Sequence, residues 1–505
     1  MTNESGSKIY LYCICGVAVI GGLLFGYDTA VISGGEQALQ KYFQGGTLKN
    51  SYSTLLHGFV SSSALVGCVI GGMICGFMAS RLGRRNSLII ASILFFLSAL
   101  GSYYPEFLFY GFSFNNNPDA GVLILFILYR VLGGVGVGLA SAICPMYIAE
   151  VSPPEIRGTL VSCNQFAIIF GQLLVYVINT FIRGALGDND KQIEERMVTV
   201  GWRRMFVSEC VPAGLFGILL LFVPKTPRYL IMKGNEERAS KVLTRINGDA
   251  KAKEVLSEIK DTLKNEKEEN LFSYGKIVVA VGVLLSFFQQ AVGINVALYY
   301  APRIFQGMGS SGNSAMVQTV VMGIVNIIFT VVAIFTVDRW GRKPLLMVGS
   351  FGMAVGMFVL SVLSFTSVFS MKVGSIFGLV FMIIYTASFM MSWGPICWVL
   401  ISEIFPNTIR ANAVAWAVAA QWISNLIVSM TFPYIEGLSK DDTKPENEQK
   451  TWGAGIAYLM YGGFSLLSAY FVYKLVPETK GKTLEDMTEL WLKKKMENKD
   501  KDVLA

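Results

Sequence analysis

Two stretches of this chain repeat one another, YIAEVSPPEIRG at residues 147–158 and LISEIFPNTIRA at residues 400–411. Each stretch holds a glutamate and, seven residues later, an arginine: Glu150 with Arg157, and Glu403 with Arg410. The second pair lies 253 positions after the first. A repeat at about half the chain length indicates two copies of one structural unit.

Two shorter motifs repeat in the same order. The turn RLGRR at 81–85 returns as RWGRK at 339–343, and PKTPR, which begins at Pro224, returns as PETKGKT, which begins at Pro477. Pro477 again follows its counterpart by 253 positions. Three motifs in one order at nearly one offset predict that the chain consists of two similar halves.

The sequence around these motifs is apolar enough to lie in lipid. Of the 505 residues 53% are hydrophobic and 15% are charged, whereas soluble domains carry about 25% charged residues. Apolar runs of about 18 residues or more can cross a bilayer as helices. About twelve such runs occur, at 10–34, 55–80, 86–104, 121–144, 160–183, 202–223, 274–306, 314–337, 344–366, 373–401, 411–435 and 453–476. The predicted fold class is an all-α integral membrane protein with twelve transmembrane helices in two pseudo-symmetric six-helix bundles.

The basic residues are distributed unevenly among the predicted loops. The repeated turns at 81–85 and 339–343 each hold three, whereas Lys and Arg are absent between Pro105 and Ala120. Because positive residues mark the cytoplasmic side, we expect a multi-pass protein of the inner (plasma) cell membrane with both termini in the cytoplasm. The net charge of +7 then follows from topology, and no nucleic-acid partner is expected.

Four segments follow from this pattern: an N-terminal six-helix bundle at 1–224, a cytoplasmic linker at 225–272, a C-terminal six-helix bundle at 273–476 and a cytoplasmic tail at 477–505. In the linker, apolar residues recur at helical spacing, which predicts short amphipathic helices. They are Ala239, Val242, Leu243 and Ile246, and then Val255, Leu256, Ile259 and Leu263. The linker is too short for a catalytic domain.

The composition argues against an enzyme and against a metal site. The eight cysteines lie in apolar stretches without C-x₂-C spacing, which is typical of small hydrophobic side chains in helices. His57 is the one histidine, and its place at the start of the second span favours an interfacial residue over a ligand. The sequence lacks the G-x-S-x-G, H-E-x-x-H and P-loop motifs. We expect no enzymatic activity, no metal and no cofactor.

Three ionisable residues stand out inside the predicted spans: Asp28, Arg130 and Glu209. Charges in a bilayer are costly, so such residues are functional candidates by default. Two interpretations of Asp28 stay open, a permanent pair with a neighbouring Arg that fixes helix packing, and a proton carrier whose pairing with Arg130 changes. Glu209 is either a second proton-coupling residue or a residue of a helix end or gate.

Amide and aromatic side chains also collect inside the spans. Gln165 and Gln172 are seven residues apart and therefore share a helix face, and Gly293 and Gly394-Pro395 predict helix breaks of the kind that line transporter cavities. Convergent amides and an aromatic face suit a neutral, hydroxyl-rich ligand such as a sugar. For any single amide, hydrogen bonding between helices is the alternative.

The repeated charges at the cytoplasmic helix ends form a third candidate set. Its members are Arg84, Glu150, Arg157, Arg342, Glu403 and Arg410. They predict ion pairs between helices that act as a cytoplasmic gate. The alternative is that they serve only as topology signals and helix-end charges.

These motifs resemble a known family. GGLLFGYDTAVISG at 21–34, CNQFAIIFGQ at 163–172, FFQQAVGINVALYYAP at 287–302 and MSWGPICWVLISEIFP at 391–406, together with the G-R-R and G-R-K turns, resemble the sugar porter family of the major facilitator superfamily. The resemblance covers nearly the whole chain and implies the major facilitator fold. It also implies proton-coupled import of an aldose, with D-xylose expected. Proton-coupled members of the family are acidic at the position of Asp28, where many facilitators carry Asn.

The resemblance further implies the residues that contact the sugar. They are Gln165, Gln172, Gln289, Gln290, Asn295, Trp393, Gln421 and Trp422, with Tyr299 and Asn326 nearby and Phe25 in the cavity lining. The expected partners are a sugar, H⁺ and the lipid bilayer, without an obligatory protein partner. Two departures from the family pattern are Lys225, where Glu is usual, and Ala411, where Gly is usual.

Two alternatives to this function stay open. The first, within the same class, is a facilitative or hexose-specific transporter. The second is a sugar sensor that does not transport. Such sensors usually have a long signalling tail, whereas about 28 residues follow Pro477 in this sequence.

Overall fold

The structure is a computed structural model that describes residues 6–49, 51–107, 111, 118–265, 270–366, 372–406, 408–439, 452–480, 486–493 and 495–496. These residues form helices and connections without strands, as the predicted all-α fold requires. They divide into two compact units. Unit 1 is drawn from Met1–Asn50 and Ser63–Lys267, and unit 2 from Ser51–Ser62 and Glu268–Ala505. Parts of the predicted linker and tail, at 266–269, 481–485 and 497–505, lie outside the described residues.

The first part of the chain contains long helices followed by short ones. In order they are α1 (Lys8–Gly45), α2 (Thr54–Arg81), α3 (Arg84–Tyr103), α4 (Ala120–Val151), α5 (Pro154–Gly184), α6 (Asp190–Arg196), α7 (Trp202–Val207), α8 (Cys210–Leu220), α9 (Pro227–Met232), α10 (Glu236–Asn247) and α11 (Asp249–Asn265). A π-helical turn, Met197–Gly201, leads into α7. The amphipathic pattern of the linker forms α10, which buries Ala239, Leu243 and Ile246.

The second part of the chain repeats the long helices with two additional breaks. In order they are α12 (Lys276–Ala291), α13 (Ile294–Tyr299), α14 (Ala301–Gly307), α15 (Gly312–Trp340), α16 (Arg342–Phe365), α17 (Lys372–Met390), α18 (Trp393–Glu403), α19 (Arg410–Gly437) and α20 (Trp452–Leu475). A further helical stretch covers 486–493. Trp491 of that stretch is buried and donates from its indole to the Ile404 carbonyl at 2.8 Å.

Among the described residues, 11 helices are long and apolar enough to cross a membrane. The sixth predicted span, 202–223, is not one of them because it consists of two shorter helices, α7 and α8, with Ser208 and Glu209 at the joint. The apolar run in the sequence therefore concealed a kink. The helix of the first span is longer than predicted, because α1 extends about three turns beyond the apolar run at 10–34.

The helix breaks predicted at Gly293 and near Gly394-Pro395 are both present. Gly293 has φ 89° and ψ 15°, a left-handed conformation that favours glycine, and it separates α12 from α13. The Tyr385 hydroxyl donates to the Val292 carbonyl at 2.8 Å, which pairs a carbonyl that the break leaves outside the helix ladder. The second break falls before Trp393, so that Pro395 lies in the first turn of α18, where proline is tolerated.

Close contact between α1 and α5 fixes the core of unit 1. A Cβ atom on Gly26 would lie 1.9 Å from the Ile168 carbonyl oxygen, and one on Gly171 would lie 2.1 Å from the Leu23 oxygen. Both glycines are therefore required by the approach of the two backbones. This packing holds the functional side chains of α1 and α5 at a fixed spacing.

A fully buried ion pair closes one end of unit 1. Arg203, at the start of α7, donates through Nη1 to Glu106 Oε2 at 2.8 Å and to the Tyr103 carbonyl at 2.9 Å. Its Nη2 binds Glu106 Oε1 and the Tyr42 hydroxyl, the latter at 3.0 Å. Both charged side chains have 0% exposure. The sequence gives no signal for this pair, because Glu106 follows the third apolar run and Arg203 stands at the edge of the sixth.

Candidate functional sites

Asp28 and Arg130 form a buried ion pair between the middle parts of α1 and α4. Arg130 Nη1 lies 2.6 Å from Asp28 Oδ1, and Nη2 donates to the Asp28 carbonyl at 3.1 Å. The exposed fractions are 0% for Asp28 and 1% for Arg130. The Phe206 ring covers the guanidinium at 5.1 Å. An opposite charge at this distance compensates the cost of burial.

Glu209 adds a second carboxylate to this pair. It is fully buried at the α7–α8 joint and interacts electrostatically with both Asp28 and Arg130. Among the described residues, no donor reaches either of its oxygens or Asp28 Oδ2. One guanidinium therefore stands beside two carboxylates, and one added proton would balance the charge of the cluster. The structure brings together the three ionisable residues that the sequence singled out.

The predicted amides of unit 1 lie along α5. Gln172 is buried, Gln165 is half-buried, and Phe25 on α1 is half-buried as well. Within the described part of the chain, Gln172 Oε1 has no hydrogen-bond partner. Asn179, a buried amide that the sequence analysis did not select, donates to the Val31 carbonyl at 3.3 Å. The Asn179 amide nitrogen serves the contact of α5 with α1, while Asn179 Oδ1 and Gln172 Oε1 are both acceptors without a partner among the described residues.

The predicted amides of unit 2 form a chain of hydrogen bonds around the Gly293 break. Gln289 Nε2 donates to the Trp393 carbonyl at 3.0 Å and to the Gly394 carbonyl at 3.3 Å. Gln290 Nε2 donates to Gln289 Oε1 at 3.3 Å, and Asn295 Nδ2 donates to Gln290 Oε1. The amides thus connect the two broken helices of this unit and pair with backbone carbonyls at the second break.

The remaining predicted residues of unit 2 lie on α13, α15, α18 and α19. Trp393 is fully buried, and its indole donates to Ser350 Oγ at 2.8 Å. Asn425 Nδ2 donates to the Tyr299 hydroxyl at 3.3 Å. Gln421, Trp422 and Asn326 are buried. Gln421 Oε1 and Asn326 Oδ1 have no hydrogen-bond partner in the part of the chain that the structure describes. These two carbonyls can accept from hydroxyl groups.

The glutamates of the repeated motifs form ion pairs between helices, with the arginines of the glycine turns. Glu150 binds Arg84 at 2.6 Å, and Glu403 binds Arg342 at 3.0 Å. Arg157, which is exposed, donates instead to the Ser152 carbonyl at 3.4 Å, and Arg410 donates to the Phe405 carbonyl at 3.2 Å. The seven-residue spacing within each motif does not bring its own Glu and Arg into a described ion pair. Each Glu binds the Arg of the preceding glycine turn.

Comparison with known proteins identifies the family. Residues 14–491 match the profile of the family described as sugar (and other) transporter. The chain is a member of this sugar transporter family. It is 48% identical over 499 residues to the D-xylose-proton symporter of Escherichia coli, with 97% of each chain covered. It is 38% identical to the glucose facilitated diffusion protein of Zymomonas mobilis, with 95% of this chain and 97% of the relative covered.

Solved structures of relatives agree with the family assignment. The partially occluded inward open conformation of the xylose transporter XylE from E. coli matches with a TM-score of 0.81 and 47% identity, over 94% of this chain and 100% of that chain. The proton:xylose symporter XylE bound to 6-bromo-6-deoxy-D-glucose matches with a TM-score of 0.76. The resemblance to sugar porters and the major facilitator fold are therefore confirmed. The relatives are membrane transporters and not enzymes, and this chain is a multi-pass membrane protein.

Proposed function

We propose that this sugar transporter is a symporter that imports an aldose, D-xylose, together with a proton by alternating access. The observation that carries the proposal is the buried Asp28–Arg130 pair with Glu209 beside it. A titratable cluster whose burial is costly suits a transporter that carries a proton, whereas a facilitator does not require such a cluster. The relative that is named D-xylose-proton symporter, 48% identical over 97% of both chains, supports the same conclusion.

The proton is carried by the Asp28 cluster. Asp28 takes up a proton while its site is open to the outside, and the neutral carboxylic acid then releases Arg130. Glu209 attracts the freed guanidinium and limits the cost of leaving it unpaired. The proton leaves on the inside, where the pH is higher, and the pair forms again. One charge moved across 100 mV corresponds to about 2.3 kcal/mol, enough for roughly a fortyfold sugar gradient.

The sugar is bound by amide and aromatic side chains of the predicted set. We assign this role to Gln165, Gln172, Gln289, Gln290, Asn295, Trp393, Gln421 and Trp422, with Phe25, Tyr299 and Asn326 at the edge of the site. Three of these residues, Gln172, Gln421 and Asn326, each keep a buried carbonyl oxygen without a partner among the described residues, which supports this role. Such oxygens are costly unless a ligand or water donates to them. Sugar hydroxyls are suitable donors.

The paired charges at the motif ends are assigned to a cytoplasmic gate. The Arg84–Glu150 and Arg342–Glu403 pairs stabilise closure, and Arg157 and Arg410 act through the neighbouring carbonyls. With positive turns facing the cytoplasm, we place the protein in the inner (plasma) membrane with both termini inside. We also assign six-helix bundles to residues 1–224 and 273–476, a cytoplasmic linker to 225–272 and a cytoplasmic tail to 477–505.

The test of coupling is uptake of labelled D-xylose into proteoliposomes with the outside acidified. Wild type should accumulate the sugar above its external concentration. Asp28→Asn should still bind the sugar and exchange it across the membrane without accumulating it, because the neutral amide imitates the protonated acid permanently. Asp119→Asn, the same chemical change at the N-cap of α4, is the matched control. Accumulation by Asp28→Asn at the wild-type level would refute the proposed role of Asp28.

The test of the sugar is competition. Unlabelled D-xylose, D-glucose and L-arabinose are compared as inhibitors of labelled D-xylose uptake. The proposal expects D-xylose to compete most strongly. Stronger competition by D-glucose would make the protein a hexose transporter, and uptake without a response to external acid would make it a facilitator.

A further inference from the structure

The two glycine turns of the repeat make matching contacts, each within its own unit. Arg84 and Arg342 bind Glu150 and Glu403. Arg85 Nε donates to the Leu220 carbonyl at 3.0 Å, and Lys343 Nζ donates to the Tyr473 carbonyl at 2.8 Å. Leu220 and Tyr473 are 253 positions apart, as the repeat requires. Residues that follow Leu220 and Tyr473 and are also 253 positions apart therefore occupy corresponding places in the two units.

Unit 2 carries an anion at the start of the helix that follows its turn. The Glu478 carboxylate accepts from four backbone N–H groups, those of Arg342 at 3.0 Å, Lys343 at 2.9 Å, Thr479 at 3.0 Å and Lys480 at 2.9 Å. The first two belong to the first turn of α16. Glu478 therefore occupies the place where a helix N-terminus attracts negative charge.

Unit 1 has a cation at the corresponding position. Lys225 lies 253 positions before Glu478, and α3 has no side-chain cap among the described residues. The Lys225 ammonium lies 5.6 Å from the centre of the Tyr229 ring. That ring packs against Gly83, and its hydroxyl donates to the Arg81 carbonyl at 3.1 Å. Lys225 thus lies near the turn that precedes α3, at the position where unit 2 has the Glu478 carboxylate.

The cations near this turn have no carboxylate partner within the described ranges. Arg81, Arg85 and Lys225 form no ion pair there, Arg85 donates to the Leu220 and Leu221 carbonyls, and Glu150 binds Arg84 through one oxygen. Lys225 therefore adds its charge near the positive end of a 20-residue helix. Such a surface attracts an oxyanion.

A buried hydroxyl provides a second observation. Thr226, directly after Lys225, has 0% exposure, and its Oγ1 has no hydrogen-bond partner among the described residues. Its counterpart Thr479 donates to Glu403 at 2.6 Å and also contributes a backbone N–H to the Glu478 carboxylate. Thr226 therefore holds an unused donor at the position that adjoins the bound anion in unit 2.

We propose that the N-terminus of α3 binds a phosphate-type oxyanion in the place that the Glu478 carboxylate takes in unit 2. Its ligands are the first backbone N–H groups of α3, the Lys225 ammonium and Thr226. Two sources supply this chemistry, the phosphate group of an anionic lipid and free inorganic phosphate. The test measures ligand binding to the folded chain and not transport, so its outcome does not depend on the proposed function.

The experiment follows thermal unfolding of the full chain in neutral detergent while inorganic phosphate is raised at constant ionic strength. Wild type should gain stability in a saturable manner, because a ligand that binds only the folded state raises Tm. Lys225→Glu restores the built-in carboxylate and should lose this response while melting higher than wild type without phosphate. Lys241→Glu, the same charge reversal on the exposed face of α10, should respond as wild type does.

A second arm separates the two sources and does not depend on detergent. Wild type and Lys225→Glu are compared in nanodiscs of phosphatidylglycerol and of phosphatidylcholine. A higher Tm of wild type in phosphatidylglycerol, without further effect of phosphate, identifies a lipid phosphate. Equal Tm in both lipids with a response to phosphate identifies the free ion. The proposal is overturned if Lys225→Glu responds as wild type does, or if wild type responds in neither arm.

Discussion

The two units repeat one another in their helices and in their Arg–Glu pairs, and they differ in the chemistry of their cores. The core of unit 1 holds the charged cluster of Asp28, Arg130 and Glu209. The core of unit 2 around Gln289 is a chain of neutral amides that bind one another and the carbonyls of a broken helix. Repetition of the scaffold is therefore compatible with different cores, a charged cluster in unit 1 and a chain of neutral amides in unit 2.

The difference also has an energetic side. A buried ion pair is strongly destabilising when one partner is removed, because a charge remains in a medium that solvates it poorly. An amide network loses single hydrogen bonds of modest value. Unit 1 should thus be sensitive to single substitutions in its core, and unit 2 should show graded effects.

The largest effect is expected from Arg130→Met. The substitution leaves Asp28 and Glu209 as two buried carboxylates without the cation between them. We expect destabilisation of about 3–5 kcal/mol, as for other broken buried pairs, measured by thermal unfolding of the purified protein. The double variant Arg130→Met, Asp28→Asn should recover part of the loss, because one of the two charges is also removed. Equal stability of the single and double variants would contradict the charged-core account.

Gln289→Ala should have the next largest effect, on binding rather than on folding. It removes the donor to the Trp393 and Gly394 carbonyls and the acceptor for Gln290. We expect sugar affinity to fall by about 1–3 kcal/mol, measured by isothermal titration calorimetry. Gln318→Ala, an amide on α15 that accepts from Ser310, is the control with unchanged affinity. Wild-type affinity of Gln289→Ala would remove the amide chain from the sugar site.

The paired charges at the glycine turns allow a direct comparison of the two units. The Arg84–Glu150 side chains are 9% and 12% exposed, whereas those of Arg342–Glu403 are 12% and 31% exposed. Because screening by solvent weakens exposed pairs, Glu150→Gln should cost more stability than Glu403→Gln. We expect about 1–3 kcal/mol for the first and about 1 kcal/mol or less for the second, from thermal unfolding at matched salt. The reverse order would show that exposure does not govern these pairs.

The smallest effect concerns pH and Glu478. Partial burial acts to raise the pKa of this carboxyl, but the backbone N–H groups of Lys480, Arg342, Lys343 and Thr479 outweigh it and hold the pKa below its usual range. The cap therefore contributes stability above the usual pKa of about 4.3 and loses it as pH falls through the lowered value. At neutral pH the free energy of unfolding of Glu478→Gln should be about 1 kcal/mol lower than that of wild type. This difference in stability should disappear in acid. A gap that widens in acid would contradict the assigned sign.

The sequence predicted the architecture because hydropathy and the repeat are properties of long segments. It singled out Asp28, Arg130 and Glu209 because ionisable residues are conspicuous within apolar runs, and it left open whether Glu209 belongs with the other two or to a helix end or gate. It did not predict the joint at Glu209, since an apolar run has the same composition whether its helix is straight or kinked. The sequence placed Glu150 and Glu403 in one set with Arg84 and Arg342, but spacing along one motif could not say which arginine each glutamate binds. Glu106 and Arg203 were missed because they lie at or beyond the ends of apolar runs.

The buried Glu106–Arg203 pair has a consequence for biogenesis. The two residues are 97 positions apart, so the glutamate leaves the ribosome well before the arginine that neutralises it. Until then the third span ends in a carboxylate without its final partner, which disfavours stable lateral release into lipid. The sixth span supplies Arg203 and completes the pair. We therefore expect insertion of the first six spans to be cooperative, so that a truncation before Trp202 should yield spans that remain susceptible to quality-control proteolysis.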